Sequence, residues 1–368
     1  MPRTSTLLLL ATGAAGAIAA AAFAAGDAHA AFSQAWPAFA LVTGLLLVGA
    51  ASAREGVFEA AGAALAGLPG GAGTLLAALL LLEAAVTAVL NLDTAVVFVT
   101  PVLLHAARRR GAAEAPFLYG AVFMANSASL LLPGSNLTNL IVLAHEPVPG
   151  LTFASRLAPA WAVAVAVTIV FLLLAFRRQL AVPVARTASR MALRPGPGAV
   201  GIAGAVVLVL ALRHPALPVL ALGLVVGIAS RLRARHVLDS TNPALLLGVL
   251  GVAVALGTLG RNVGWLGSLV QHADRWESAW IAAGASVLVN NLPAAVVLAA
   301  HAPAHPRALL LGLDLGPNFA VTGSLSALLW LQVARANGAK PSVVRYTLLG
   351  IVLTPISLVL ALLAASSF

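Results

Sequence analysis

Long apolar runs follow one another along nearly the whole chain, separated by short stretches that hold Pro, Gly or Arg. A hydrocarbon layer about 30 Å thick takes about 20 residues of helix at 1.5 Å each. On that measure the pattern predicts membrane helices over 5–25, 35–53, 117–145, 154–176, 198–213, 217–230, 243–261, 307–335 and 342–366. Two more apolar segments, 74–106 and 277–302, are each cut in the middle by an Asn-containing break and read as re-entrant helical hairpins. The spans 117–145 and 307–335 are interrupted by Asn, Gly, Ser and Thr and read as broken helices. The stretches 56–68 and 263–276 carry Trp or Phe among polar residues and read as surface helices.

Composition closes off the soluble alternatives. Of 368 residues, 61% are apolar and 9% charged, with a mean hydropathy of +1.01. Soluble chains carry about 25% charged residues, so an ordinary soluble enzyme, a disordered chain and a coiled coil are excluded. An all-α polytopic membrane protein remains, with the lipid bilayer as its first partner. Cysteine is absent, which removes disulfides, thiolate metal sites and a cysteine nucleophile.

The net charge of +10 reads as topology and not as a nucleic-acid surface. Cytoplasmic loops collect Lys and Arg. Placing the basic stretch 177–197 inside puts 16 of the 21 Lys and Arg on the cytoplasmic face. Arg156, Arg213, Arg261, Arg275 and Arg307 then lie outside, and the N-terminus is cytoplasmic. The hairpin 74–106 then dips in from the cytoplasm and 277–302 from outside. Arg3, the Ala/Leu core and Ala28-His29-Ala30 also resemble a cleavable secretory signal, but the topology needs 5–25 as a retained span.

The chain repeats itself. Asn91-Leu92-Asp93-Thr94-Ala95-Val96-Val97 returns as Asn291-Leu292-Pro293-Ala294-Ala295-Val296-Val297, and both halves run span, surface helix, hairpin, broken span, span. The expected organisation is a first repeat over 1–176, a basic cytoplasmic linker over 177–197, and a second, inverted repeat over 198–368. Inverted repeats with broken helices are the pattern of secondary transporters. Unwound backbone at membrane depth is tolerated where it lines a polar cavity.

The candidate chemistry sits at the four breaks. The first hairpin tip holds Asn91, Asp93 and Thr94, and the second Asn290 and Asn291. The first broken span carries Asn126, Ser129, Ser135, Asn136, Thr138 and Asn139; the second carries Asp314, Asn318, Thr322 and Ser324. Amides and hydroxyls offer neutral donors and acceptors to a small polar solute. A deep carboxylate is a proton carrier or part of a cation or solute site, which singles out Asp93 and Asp314, although Asp93 also suits a helix cap. Glu83 is either a proton relay or the partner of an Arg. His105 and His301 close the hairpins, and the other six His fall in predicted loops. No set has metal-ligand spacing, no Gly-rich phosphate loop appears, and no Gly-x-Ser-x-Gly elbow supports a membrane-embedded hydrolase. No metal or cofactor is called for.

These residues resemble the arsenical pump membrane protein family of the ion transporter superfamily. The resemblance rests on Asn91-Leu92-Asp93-Thr94 with Thr100-Pro101, Asn126 to Ser129, Pro133-Gly134-Ser135-Asn136-Leu137-Thr138-Asn139, Val289-Asn290-Asn291-Leu292-Pro293, Leu313-Asp314-Leu315-Gly316-Pro317-Asn318 and Thr322-Gly323-Ser324-Leu325. It implies arsenite or antimonite export across the inner membrane in exchange for protons. It also implies a homodimer and, in some members, a cytoplasmic ATPase subunit, for which this chain lacks a long charged central loop. Sodium-coupled uptake of an anion such as a dicarboxylate, or sodium/proton exchange, would use the same scaffold.

Overall fold

The structure, a computed structural model, describes residues 3–182 and 196–365. Arg186, Arg190 and Arg194 of the basic linker lie outside the described residues. Those described form helices and turns only. In the first half these are α1 (Arg3–Phe23), α2 (Ala25–Arg54), α3 (Val57–Ala66), α4 (Ala72–Leu90), α5 (Leu92–Arg110), α6 (Glu114–Ala128), α7 (Leu137–Leu143), α8 (Gly150–Ala175) and α9 (Arg177–Leu180). The second half holds α10 (Pro197–Ala211), α11 (Ala216–Ala229), α12 (Ala234–Thr241), α13 (Pro243–Asn262), α14 (Gly264–Ser268), α15 (Arg275–Val289), α16 (Asn291–Leu298), α17 (Pro306–Leu315), α18 (Leu325–Ala336) and α19 (Val343–Ala365). Six segments among the described residues are long and apolar enough to cross a membrane, and the chain is a multi-pass integral membrane protein. α10 and α11, at 15 and 14 residues, are shorter than a straight crossing of hydrocarbon requires.

Both apolar segments with central breaks are helical hairpins, α4–α5 and α15–α16, and both broken spans are broken. In the first, a 3-10 turn over Pro133–Ser135 separates α6 from α7; in the second, 3-10 turns over Gly316–Phe319 and Val321–Gly323 separate α17 from α18. The hairpin arms are unequal, since α5 has 19 residues and α16 only eight. Around them, α1 packs on α13, α11 on α2, and α2 on α13. Glycines let these backbones meet. A Cβ on Gly13 would lie 2.1 Å from the carbonyl oxygen of Gly248, and one on Gly223 would lie 2.4 Å from that of Gly44. Small residues at crossings are the usual basis of helix association in lipid, where apolar burial gives no driving force.

One expected loop is helix. The polar residues of 26–34 suggest a connection between spans, yet α2 runs unbroken from Ala25 and holds His29. Its polar side chains have found partners: Asn262 donates to Asp27 at 3.0 Å and Arg261 to the side-chain oxygen of Gln34 at 2.7 Å. A paired polar residue no longer forces the backbone into water. His236 likewise lies in α12 and not in a loop. The expected surface helix 56–68 is present as α3, whereas in 263–276 only the five residues of α14 and the start of α15 are helical.

Arg110, at the end of α5, is 1% exposed and holds the α3–α4 connection. Its guanidinium donates to the carbonyls of Ala66, Leu68 and Gly70 at 2.6, 3.3 and 2.8 Å. Arg110→Ala should cost about 2–3 kcal/mol, because charge-assisted bonds are lost and carbonyls stay buried. Arg110→Lys should recover little, having no planar fork. Melting midpoints in detergent check both.

Two residues earlier, Arg108 makes a two-pronged contact with the Glu114 carboxylate at 2.8 and 3.0 Å. That hydrogen bonding lowers the Glu114 pKa against a smaller opposing effect of burial. A depressed carboxyl pKa stabilises the fold above its ordinary value, and the gain disappears as pH falls through the lowered one. Both side chains are more than a third exposed, so solvent keeps the effect below about 1 kcal/mol. Arg108→Ala should therefore flatten the acid limb of a stability–pH curve slightly and leave neutral stability nearly unchanged.

Candidate functional site

The two broken segments meet at the centre of the molecule. Asn126, in the last turn of α6, donates to the Asn318 side-chain oxygen at 2.9 Å. Asn318 in turn donates to the Ser127 hydroxyl at 3.2 Å, which also accepts from Thr168 of α8 at 2.9 Å. Ser324 reaches the Asn126 side-chain oxygen at 3.4 Å, and the Tyr346 hydroxyl of α19 donates to the Pro317 carbonyl at 2.9 Å. Residues nearly 200 positions apart thus form one polar seam, fully buried at Asn126, Ser127 and Asn318.

Asp314 lies in the last turn of α17, just before its break. Its Oδ1 accepts from the Asn136 amide at 2.7 Å and the Thr138 hydroxyl at 2.9 Å, both on the opposite broken segment. Its Oδ2 is buried and without a partner. Ser135 donates back to the carbonyls of Ser129 and Leu132. Asn139 also donates to both, at 2.8 and 3.3 Å, leaving its own side-chain oxygen buried and unpartnered. Buried polar atoms without partners are rare in folded proteins, and each needs an explanation. The free acceptors on Asp314 and Asn139 can receive a proton, a hydroxyl or a cation. None of the side chains joined in this cluster is basic.

The hairpin breaks are conformationally strained. Asn91 has φ 133° and ψ 169°, and Asn290 has φ 80° and ψ 149°. This region is nearly confined to glycine, and strain of about 1–3 kcal/mol persists where surrounding structure enforces it. Each Asn caps the helix that follows, Asn91 accepting from the Thr94 N–H at 2.7 Å and Asn290 from that of Leu292 at 3.4 Å. In backbone terms Asn91 therefore matches Asn290. The sequence identity pairs it with Asn291, one residue on.

The two tips are not equally enclosed. Asn91 and Thr94 are fully buried, with the Asn91 amide nitrogen and the Thr94 hydroxyl unpartnered. At the other tip Thr322 is exposed, Asn290 is half-buried and donates to the Thr322 carbonyl at 3.0 Å, and Asn291 is buried. Asp93 is half-buried and starts α5 beside Thr94, so it stands at a tip and not in the Asp314 cluster. Glu83 is fully buried on α4, with both carboxylate oxygens unpartnered and Thr87 one turn on equally so. Of the two readings of Glu83, the one with an Arg partner finds no such partner among the described residues.

Sequence reasoning passed over Thr168 and Tyr346, which complete the seam, and counted Ser127 in the polar run of the first broken span without singling it out. Neither Thr168 nor Tyr346 carried a signal, each standing alone in an apolar helix. It also passed over Gln34, which donates to the carbonyls of Ile141 and Ala299 at 3.0 and 2.8 Å and so ties α2 to the ends of α7 and α16.

The chain is similar in sequence and in overall fold to known membrane transporters. The profile of the CitMHS citrate transporter family matches residues 1–323. The chain belongs to that family. Within the curated proteins, this CitMHS member is 27% identical to the arsenical pump membrane protein of Yersinia enterocolitica, over 89% of this chain and 86% of the relative. The arsenical pump membrane protein of Escherichia coli gives the same identity and coverage. In fold it is similar to the crystal structure of the Alcanivorax borkumensis YdaH transporter, described as having an unusual topology. The TM-score is 0.56 at 15% identity, covering 93% of this chain and 87% of that one. The CitMHS chain is thus a membrane transporter of the citrate and arsenical pump kind.

Proposed function

We propose that the protein exports arsenite or antimonite in exchange for protons by alternating access to the seam between its broken helices. The contact of Asp314 with Asn136 and Thr138 across the two halves carries this reading. It places one ionisable group with a free oxygen among neutral donors and acceptors. Arsenite at neutral pH is mainly the uncharged trihydroxide, a small polyol that such groups hold without binding it irreversibly. Asp314 is the leading proton carrier, with Asp93 at the hairpin tip and Glu83 as further carriers. Asn91, Thr94, Asn126, Ser129, Ser135, Asn136, Thr138, Asn139, Asn290, Asn291, Asn318, Thr322 and Ser324 line the solute's route.

Alternating access here uses two inverted repeats, 1–176 and 198–368, in the inner membrane with a cytoplasmic N-terminus. The helix contacts support the repeat itself: α1 meets α13 as α11 meets α2, and α5 meets α18 as α16 meets α7. A twofold relation between the halves would exchange the partners in this way.

The citrate name of the family favours a second reading, sodium-coupled uptake of a carboxylate anion. The lack of a basic side chain in the cluster weighs against a multiply charged solute. Expression in an arsenite-sensitive, pump-deleted host separates the two. Restored resistance, with arsenite uptake into everted vesicles driven by a proton gradient, is the expected result. Unchanged sensitivity with sodium-dependent citrate uptake into whole cells would sink the arsenite reading.

A further inference from the structure

In the orientation set by charge, Arg156, Arg275 and Arg307 are exceptions, basic residues on the face that should hold few. They are far apart in the chain yet converge on two adjoining cavities of about 270 and 310 Å³. The first lies between the start of α8 and the start of α17, with Arg156 and Arg307 on its wall. The second lies between α15, α17 and the end of α19, with Arg275, His305 and Arg307 on its wall. Arg307 and Glu146 line both.

The charge there is not balanced. Among the described residues Glu146 is the single carboxylate lining either cavity, and the one ion pair it makes there is with Arg156, at 3.7 Å. Arg275 lies over the Trp276 ring at 5.5 Å, with no ion pair to a carboxylate among the described residues. Arg307 makes no hydrogen bond or ion pair among the described residues. Arg275 and Arg307 are half-buried, which weakens solvent screening and raises the cost of leaving like charges together, while the Arg156 side chain at the rim is 38% exposed. Guanidinium forks suit the oxygens of phosphate groups, often two at a time. The remaining walls are partly apolar, with Phe153 and Leu310 in one cavity and Leu311 and Leu362 in the other.

We propose that Arg156, Arg275 and Arg307 form a peripheral anion site that takes a phosphate group, either on an anionic phospholipid or as free phosphate. It shares no residue with the Asp314 cluster and stands whether or not arsenite is the solute. α17 links the two, with Arg307 in its first turn and Asp314 in its last. A ligand held by Arg307 steadies the helix that presents the carboxylate.

Two arms test this on the full-length protein. In one, detergent-purified protein is dialysed against radiolabelled inorganic phosphate. In the other, protein from mixed phosphatidylcholine and phosphatidylglycerol nanodiscs is examined by native mass spectrometry for retained lipid. Wild type should bind saturably in one arm, which identifies the source. R275Q/R307Q should bind at least about tenfold more weakly, a change of 1.4 kcal/mol. R213Q, which lines neither cavity, should match wild type. If the double variant fails to fold by circular dichroism, R307Q alone is read by the same criterion. No saturable binding in either arm, or binding by the folded variant equal to wild type, overturns the proposal.

Discussion

Asp314→Asn should abolish proton-driven transport while leaving the protein folded. The substitution keeps the shape of the side chain and an oxygen that can still accept from Asn136 and Thr138. Both donors therefore remain satisfied, but the new amide nitrogen takes the place of the unpartnered Oδ2, so the melting midpoint in detergent should fall modestly and by less than in Asp314→Ala. The lost property is the capacity to gain and release a proton at a buried position. Uptake of arsenite into everted vesicles should fall by about a hundredfold or more under a proton gradient, the size expected when a proton-transfer group is removed. Asp314→Ala is the instructive contrast. It strands two buried donors at about 1–3 kcal/mol each, so activity and stability should fall together. Gradient-driven uptake that survives Asp314→Asn would move the coupling role to Asp93 or Glu83.

Gly350→Ala should have the largest effect on stability. Gly350 lies on α19 against the second broken segment, and a Cβ there would stand 1.8 Å from the carbonyl oxygen of Asn318. The obstacle is backbone, so no side-chain rotation relieves it. Overpacking ordinarily costs about 1–3 kcal/mol, and this clash, more than an ångström inside van der Waals contact, should cost about 3 kcal/mol or more. Any relaxation moves Asn318 and breaks its 2.9 Å bond with Asn126, so surviving protein should also transport poorly. Gly284→Ala, on α15 with open space around the added methyl group, is the control and should be near neutral or mildly stabilising.

Much of this scaffold is written in single residues. Pro133-Gly134 and Gly316-Pro317 interrupt their helices because Pro lacks an N–H and clashes with the preceding turn. Asn91 and Asn290-Asn291 interrupt theirs because Asn tolerates positive φ better than other non-glycine residues. The breaks, the hairpins and the polar residues of the seam were therefore legible. The choice between Asn290 and Asn291 at the second tip was not, since each can take the strained conformation and each caps a helix well. Long-range pairing was hidden for a different reason. Asp27 and Gln34 read as water-facing because their partners, Asn262 and Arg261, lie more than 220 residues away. Thr168 and Tyr346 sit alone in apolar helices, and only the fold brings them to Ser127 and Pro317. Asp93 and Asp314, alike in sequence as carboxylates beside a break, are separated by the structure into a tip residue and a central one.

The unequal hairpins carry a kinetic consequence. At 1.5 Å per residue α5 reaches about 28 Å and α16 about 12 Å, so in the proposed cycle one barrier to the solute is a long arm and the other barely two turns. Displacing the short arm breaks fewer side-chain contacts than displacing the long one. In an alternating-access cycle the two openings then have different activation barriers, and the slower half-reaction belongs to the α4–α5 side. Thermodynamics fixes the ratio of the forward to the reverse product of rate constants around such a cycle but not how the barriers divide between the two faces. A protein working by the proposed cycle would equilibrate more quickly with the compartment on the α15–α16 side than with the one on the α4–α5 side.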